Sequence, residues 1–241
     1  MRSSRSNHKA PVADPLDPGP AGFAHRGLHR GSDFPENSLI AFAAALEAGA
    51  GIECDLRLTA DDRVVVFHDS DAKRICGSPV LIGRCRLEEL GRLRVGDGPI
   101  PTLESLLQLV AGRVPLLLEV KVADDIWRWA PALRRALGDY AGPFGIMSFD
   151  ARIPRLIKTN LPHVRRGLVI KDRLGAWKRN WSIWLADPHF LAVETAALGK
   201  PWVGRARRRM PVYTWTVRNA DQRRQASVHA DAAIWEDNGR P

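Results

Sequence analysis

Short apolar runs alternate with segments of helical periodicity along almost the whole chain, and this alternation constrains the fold more than any other feature. Repeated strand–helix units imply parallel strand pairing through right-handed crossovers. With about eight such units, a closed TIM-type (β/α)8 barrel is favoured over an open sheet. The candidate strands are residues 22–25, 52–58, 64–68, 116–121, 144–149, 167–170, 190–194, 212–217 and 233–236.

Helices are predicted between most of the strands, at residues 38–48, 102–110, 126–137, 151–160 and 220–229. The first has Ser38 as its N-cap and Gly49 as its stop. The strand candidates outnumber the places in the barrel by one. Only the Asp61-Asp62 turn separates residues 52–58 from 64–68, which is too short for a parallel crossover. We therefore expect residues 64–68 to pair antiparallel beside the barrel mouth.

Polar residues stand at the carboxyl ends of the predicted strands, where barrel enzymes gather their functional groups. Alternate residues of a strand share a face, so Glu53 and Asp55 point the same way, and so do Glu119 and Lys121. A buried carboxylate without a partner is costly, and a divalent metal removes that cost. Other strand ends carry His25, Phe149, Glu194, Trp215 and Asp237.

The 241 residues, 45% of them hydrophobic, suffice for one large core. We predict a single barrel domain over residues 21–241, preceded by a flexible tail over residues 1–20. The tail has no apolar run like that of a signal peptide, and no segment reaches membrane-spanning length. The three cysteines lack Cys-x-x-Cys spacing, so neither a disulfide framework nor a cysteine zinc site is indicated. A cytoplasmic location is expected.

The formal charge of +9 favours an anionic ligand or partner, or else reflects a solvated arginine-rich surface. The arginines within residues 205–209 either lie on a solvated helix face or contact an acidic partner or a membrane surface. Peripheral membrane contact therefore stays open, nucleic acid is not an expected partner, and the oligomeric state cannot be read from the sequence.

An ordered series of motifs narrows the interpretation further: His-Arg-Gly at 25–27, Pro-Glu-Asn-Ser at 35–38, Ile-Glu-Cys-Asp-Leu at 52–56, Val-Val-Phe-His-Asp at 65–69, Ile-Pro-Thr-Leu at 100–103, Leu-Glu-Val-Lys at 118–121 and Tyr-Thr-Trp-Thr-Val at 213–217. With these motifs, residues 22–241 resemble the glycerophosphodiester phosphodiesterase family. The resemblance implies a phosphodiesterase of deacylated phospholipids that acts in glycerophospholipid catabolism and releases sn-glycerol 3-phosphate and an alcohol. It implies metal ligands Glu53, Asp55 and Glu119, an acid/base pair His25 and His68, phosphate contacts Arg26 and Lys121, and Trp215 beside the alcohol end of the substrate.

The chemistry of these residue types agrees with that role. Three carboxylates suit a hard cation, Mg²⁺ or Ca²⁺, rather than zinc. Such an ion would neutralise the diester and lower the pKa of a coordinated hydroxyl. Histidine, with an ordinary pKa of about 6.5, suits both the removal and the return of a proton. By analogy we favour attack by the glycerol hydroxyl through a cyclic phosphate, although the residues allow direct hydrolysis equally.

Simpler roles remain open for several of these residues. Arg26 could anchor Glu36 or Asn37 as a structural ion pair, and Lys121 could serve only to neutralise Glu119. A lone histidine such as His68 is typical of a capped loop. For Trp215, a core position and a substrate contact are equally supported.

Two other function classes also remain. A lysophospholipase D-type phosphodiesterase would use the same metal site with an apolar groove near the mouth. Such a groove could come from Trp127, Trp129, Trp177, Trp181 and Trp184, which a helix core explains equally well. A nonenzymatic polyanion-binding protein would give the carboxylates no role and would bind with a steep salt dependence.

Overall fold

A computed structural model describes residues 14–122 and 125–241. Its strands, in chain order, are β1 (Phe23–His25), β2 (Gly51–Leu58), β3 (Val64–Val66), β4 (Arg94–Val95), β5 (Gly98–Pro99), β6 (Leu116–Val120), β7 (Phe144–Ser148), β8 (Arg165–Ile170), β9 (Phe190–Glu194), β10 (Val212–Val217) and β11 (Ala232–Trp235). In this part of the chain β1, β2 and β6 to β11 form one parallel sheet, which closes because β1 pairs with both β2 and β11. The predicted TIM-type (β/α)8 barrel is confirmed.

The helices form the layer outside this barrel and the excursion beside it. In chain order they are α1 (Leu39–Glu47), α2 (Lys73–Cys76), α3 (Leu87–Leu90), α4 (Leu103–Val110), α5 (Trp129–Leu137), α6 (Arg152–Asn160), α7 (Ala176–Ala186), α8 (Pro201–Arg207) and α9 (Ala220–His229). All five predicted helices are present, and α7 and α8 complete the outer layer. Among the described residues, no helix combines the length and apolar character needed to cross a bilayer.

Side-chain caps fix where two of the predicted helices begin. The Ser38 hydroxyl accepts a hydrogen bond from the Ala41 amide at 3.2 Å, and the Thr102 hydroxyl accepts one from Ser105 at 3.2 Å. Each cap satisfies an amide that the first turn of a helix leaves without a backbone partner. These caps are the reason why the starts of α1 and α4 can be predicted from the sequence.

The surplus candidate strand, residues 64–68, pairs as expected. β3 runs antiparallel to β2, with Leu56 opposite Val66. The chain then makes an excursion, up to residue 101, through α2, α3 and the hairpin of β4 and β5. This excursion has an apolar cluster of its own, formed by Val65, Phe67, Ala72, Ile82, Leu90, Val95 and Ile100.

Aromatic and aliphatic side chains fill the barrel interior, including Phe23, Leu117, Phe190 and Tyr213. The Phe190 ring lies so close to β8 that a Cβ on Gly167 would stand 2.2 Å from it. Gly167 is therefore required for the packing, because no larger residue leaves room for this ring.

The segment just before β1 packs against the barrel. Leu16 is fully buried in the interior cluster, while Asp14 accepts a hydrogen bond from the Tyr213 hydroxyl at 2.6 Å and pairs with Arg165 at 2.9 Å. Residues 14–20 thus differ from the flexible tail predicted for 1–20, because one apolar and one acidic side chain attach them to the strands. Residues 1–13 of that predicted tail lie outside the described residues.

The five tryptophans considered for an apolar groove divide between core and surface. Trp129, the first residue of α5, is buried, but Trp127, Trp177, Trp181 and Trp184 are exposed. A helix core therefore explains only Trp129.

Candidate active site

Seven of the eight predicted site residues line one cavity of about 390 Å³ at the carboxyl ends of the barrel strands. These seven are His25, Arg26, Glu53, His68, Glu119, Lys121 and Trp215. Asp55, which is 1% exposed, does not line the cavity but contacts its wall through Arg26 and Lys121. We call this space the strand-end cavity. Closure of the barrel is what assembles it, since its residues come from both ends of the chain.

Three carboxylates form an acidic cluster beside the cavity. Oxygens of Glu53, Asp55 and Glu119 all lie within 4.8 Å of one another, and the three side chains are buried. β2 and β6 produce this arrangement because Asp55 pairs in register with Glu119. Burial, followed by the neighbouring negative charges, holds the pKa of Glu53 well above its ordinary value, and burial raises the pKa of Glu119 to about 7. Without added positive charge, the three groups therefore resist ionising together.

Asp55 is the carboxylate most firmly held. Asn37 donates to its Oδ2 at 2.9 Å and accepts from its amide at 3.2 Å. Lys121 Nζ lies 2.9 Å from Oδ1, and Arg26 Nε lies 3.1 Å from Oδ2. Burial alone would raise the pKa of Asp55, but Lys121 and Arg26 outweigh it and hold this pKa below its ordinary value. Asp55 is therefore the member of the cluster that ionises most readily.

His25 is oriented by a residue that directly follows the last strand of the barrel. Its Nδ1 lies 2.6 Å from Glu236 Oε2, while Nε2 lies 3.9 Å from Glu53. Arg218 pairs with the other oxygen of Glu236. Burial opposes ionisation of Glu236, but its hydrogen bonds with His25 and Arg218 hold its pKa well below the ordinary value. A carboxylate on Nδ1 keeps the proton there, which leaves Nε2 as the reactive nitrogen.

His68, which also lines the cavity, has a similar arrangement. Its Nδ1 lies 2.7 Å from Asp69, which pairs with Arg74 at 2.7 Å, and its carbonyl accepts two hydrogen bonds from Arg57. Burial lowers the pKa of both His68 and His25. Each histidine therefore has one nitrogen held by a carboxylate, and its lowered pKa favours the neutral form that can accept a proton.

Arg26 and Lys121 bring positive charge to the cavity wall. Arg26 adopts a left-handed backbone conformation with φ of 56°, and its amide donates to Glu53 at 3.2 Å. Its guanidinium also pairs with Glu36 at 2.8 Å, which is the structural ion pair that the sequence leaves open. Lys121 contacts both Asp55 and Glu119. Both cations thus hold acidic residues in place and also line the cavity.

Trp215 and Phe149 form the apolar part of the cavity wall. Their rings meet edge to face with centroids 5.3 Å apart, and the Trp215 indole donates to the Ala192 carbonyl at 3.0 Å. Lys171 lies over the Phe149 ring at 5.1 Å. One side of the cavity therefore offers an aromatic surface and a further cation.

The carboxylate cluster fits a divalent ion. Its donors are oxygens alone, which suits Mg²⁺ or Ca²⁺. The buried Oδ1 of Asp55 has no hydrogen-bond partner among the described residues beyond its ion pair with Lys121. Because the raised pKa values of Glu53 and Glu119 arise from burial and mutual repulsion, a bound cation would remove part of their cause.

Sequence reasoning missed three residues of this arrangement, Glu236, Arg218 and Lys171. It also missed the hydrogen bonds between the Asn37 side chain and Asp55. Glu236 lies 211 positions from the histidine that it contacts, so no local spacing connects the two. The strand-end rule was the available signal, because Glu236 directly follows β11.

A parallel (β/α)8 barrel with histidines, carboxylates and cations gathered at the carboxyl ends of its strands is typical of a barrel enzyme for an anionic substrate. The chain belongs to the glycerophosphoryl diester phosphodiesterase family, whose model matches residues 25–238. Family membership and the named homologues indicate a phosphoric diester hydrolase.

Individual relatives agree with this assignment. The glycerophosphodiester phosphodiesterase of Bacillus altitudinis is 32% identical over 165 residues, which make up 62% of this chain and 66% of that protein. The glycerophosphodiester phosphodiesterase of Caldanaerobacter subterraneus subsp. tengcongensis is 27% identical over 89% of this chain and 93% of the relative. The crystal structure of the glycerophosphodiester phosphodiesterase from Thermotoga maritima matches with a TM-score of 0.74 and 26% identity, covering 88% of this chain and 92% of that one.

Proposed function

We propose that this protein hydrolyses glycerophosphodiesters to sn-glycerol 3-phosphate and an alcohol, as a step of glycerophospholipid catabolism. The observation that carries the proposal is the strand-end cavity, where a buried carboxylate cluster lies next to two histidines whose Nδ1 atoms are both held by carboxylates. Glu53, Asp55 and Glu119 would hold Mg²⁺ or Ca²⁺. When bound, the ion would offset the charge of the diester and make the attacking hydroxyl more acidic.

The two histidines divide the proton transfers. One accepts the proton of the attacking hydroxyl as the new bond to phosphorus forms, and the other donates a proton to the alkoxide as the old bond breaks. Both roles require an unobstructed Nε2, and the contacts of His25 with Glu236 and of His68 with Asp69 leave this atom free of a hydrogen-bond partner among the described residues.

Arg26, Lys121 and Trp215 would bind the substrate. The Arg26 fork and the Lys121 ammonium complement the charged oxygens of the phosphoryl group. Trp215, together with Phe149, offers an apolar surface for the alcohol end. The residues that address phosphate and glycerol do not select among choline, ethanolamine and inositol, so we expect broad tolerance for the alcohol.

Either of two nucleophiles is compatible with this arrangement. We favour the neighbouring hydroxyl of the glycerol moiety, which would give a cyclic phosphate that water then opens. Phosphorus NMR during a single turnover would detect the cyclic diester if it forms. Incorporation of solvent oxygen without that signal would favour direct attack by water.

The reaction is tested by identifying the products. Purified protein is incubated with glycerophosphocholine or glycerophosphoethanolamine in the presence of Mg²⁺, Ca²⁺ or a chelator. We expect glycerol 3-phosphate with free choline or ethanolamine, and only when a divalent ion is present. Release of phosphocholine, or no release by a folded protein that binds the ion, would contradict the proposal.

A lysophospholipase D-type activity is the second candidate, and one observation favours it. A depression of about 840 Å³ adjoins the strand-end cavity and shares Phe149, Val169 and Lys171 with it. Its volume and partly apolar lining, which includes Leu174, suit an acyl chain. Turnover of lysophosphatidylcholine at least as fast as that of glycerophosphocholine would favour this candidate.

A further inference from the structure

Helix α7 carries exposed tryptophans that the proposed reaction does not use. Trp177, Trp181 and Trp184 recur at intervals of four and three residues, which places them on one side of the helix. Their exposed fractions are 75%, 52% and 68%, although tryptophan is on average a highly buried residue in soluble proteins. We call these three residues the tryptophan strip.

The strip is a continuous surface rather than three separate side chains. The rings of Trp177 and Trp181 stack with centroids 6.4 Å apart, and those of Trp181 and Trp184 lie 4.8 Å apart. The helix packs against the barrel through Ile183 and Ala186 instead. Because more than half of each of these side chains is exposed, the strip adds little to the burial that stabilises the fold. Contiguous exposed apolar surface of this kind marks an interaction site.

Positive charge flanks the strip. Lys178, Arg205 and Arg209 are exposed, and none of them pairs with an acidic side chain in the described part of the chain. Arg205 and Arg209 line a groove between α7 and α8 together with Trp184. The neighbouring acids at the two ends of α7 already have cationic partners, since Asp172 pairs with Lys200 and Asp187 with Lys158 and Arg166. The uncompensated charge of this face is therefore positive.

We propose that the face formed by the tryptophan strip with Lys178, Arg205 and Arg209 docks on the surface of an anionic lipid bilayer. Indole rings favour the level of the lipid headgroups, where one edge is apolar and the other is hydrated. Lysine and arginine next to such rings are attracted to the negative leaflet. The charge of this face complements a membrane surface, and its aromatic strip supplies the apolar anchor.

The tryptophan strip lies next to the depression that adjoins the strand-end cavity. Trp177 borders the depression that shares Phe149 and Lys171 with the strand-end cavity. A bilayer in contact with the strip would therefore lie beside the entrance of the cavity, so that the enzyme works where diesters derived from lipids are released.

Co-sedimentation with vesicles tests the proposal. We expect the full chain to bind vesicles that contain phosphatidylglycerol and phosphatidylcholine, and to bind pure phosphatidylcholine much less. Trp181→Ala/Trp184→Ala should weaken partitioning roughly tenfold or more through loss of the apolar anchor. Arg205→Gln/Arg209→Gln should weaken it by a similar factor and reduce its salt dependence. Turnover of soluble glycerophosphocholine should be unchanged in both variants.

Trp127→Ala is the matched control, because Trp127 is 73% exposed but lies outside α7. Its partitioning should stay within about twofold of wild type. Lack of binding to anionic vesicles at low salt would overturn the proposal, as would an equal loss in Trp127→Ala and in Trp181→Ala/Trp184→Ala. A dimer in sedimentation analysis that the tryptophan variant dissociates, without vesicle binding, would assign the strip to a second copy of the chain instead. Circular dichroism verifies that each variant is folded.

Discussion

Glu236→Gln should damage catalysis without damaging substrate binding. In the wild-type chain, Glu236 Oε2 lies 2.6 Å from His25 Nδ1, and both side chains are 13% exposed, so water screens the contact little. A charge-assisted hydrogen bond of this kind contributes about 1.5–3 kcal/mol, against about 1 kcal/mol for a neutral one. The difference of about 0.5–2 kcal/mol corresponds to a loss in kcat of roughly 2- to 30-fold. The glutamine amide can also donate to Nδ1 and favour the wrong tautomer of His25, which extends the expected loss to about a hundredfold.

The assay measures glycerol 3-phosphate release at saturating substrate, with kcat and KM determined separately. KM should change little, because Glu236 orients a histidine and does not line the strand-end cavity. Burial lowers the pKa of His25 and the bond to Glu236 opposes that shift, so the variant should move the His25 limb of the pH profile to lower pH.

Glu194→Gln is the matched control for this variant. Glu194 also ends a barrel strand, but its carboxylate accepts from the Asp172 amide at 2.7 Å, and a glutamine oxygen can accept the same bond. Its kcat should stay within about twofold of wild type. A loss below about twofold in Glu236→Gln, or an equal loss in Glu194→Gln, would refute the positioning role.

Three further predictions concern the acid/base pair, an ion pair and the amino-terminal segment. His68→Ala should lower kcat by about a hundredfold or more while calorimetry shows unchanged affinity for the divalent ion; near wild-type kcat would remove His68 from the acid/base pair. Burial by itself would raise the pKa of Glu36, but hydrogen bonds from Arg74 and Arg26 outweigh it and lower this pKa. The ionised Glu36 carboxylate therefore stabilises the fold at pH 7, and this stabilisation is lost as the pH falls below 4.5. Urea unfolding should therefore show Glu36→Gln to be about 1 kcal/mol less stable than wild type at pH 7, with a smaller gap at acid pH; a gap independent of pH would contradict this linkage. Leu16→Ala should cost about 2–5 kcal/mol in the same assay because it empties a fully buried position, and a cost below about 0.5 kcal/mol would show that this segment does not seal the barrel.

Much of the fold could be predicted because local sequence and global architecture agree. Each parallel strand is a short apolar run, and the caps of Ser38 and Thr102 mark helix starts within a few residues. Even the antiparallel β3 follows from the shortness of one turn. Helix α7 escaped prediction because its tryptophans face solvent, so its apolar periodicity does not identify an inner face.

Part of the candidate site could likewise be predicted from the sequence, and part could not. The carboxylates of β2 and β6 could be grouped because strand alternation fixes which residues share a face, and the pairing of Asp55 with Glu119 bears this out. The contact of His25 with Glu236 could not be predicted, because only barrel closure brings β11 beside β1. The packing of Leu16 into the barrel depends likewise on long-range contacts that sequence periodicity does not contain.

The dependence of turnover on a divalent ion tests the central claim most directly. Wild-type protein and Glu119→Gln are stripped with a chelator, and glycerol 3-phosphate release from glycerophosphocholine is followed while Mg²⁺ or Ca²⁺ is titrated back. We predict no turnover in the stripped protein, saturable recovery in the wild type, and recovery in Glu119→Gln only at much higher ion concentration, if at all. Full activity in the stripped wild-type protein, or the same ion dependence in both proteins, would contradict the assignment of the buried carboxylates as the metal site.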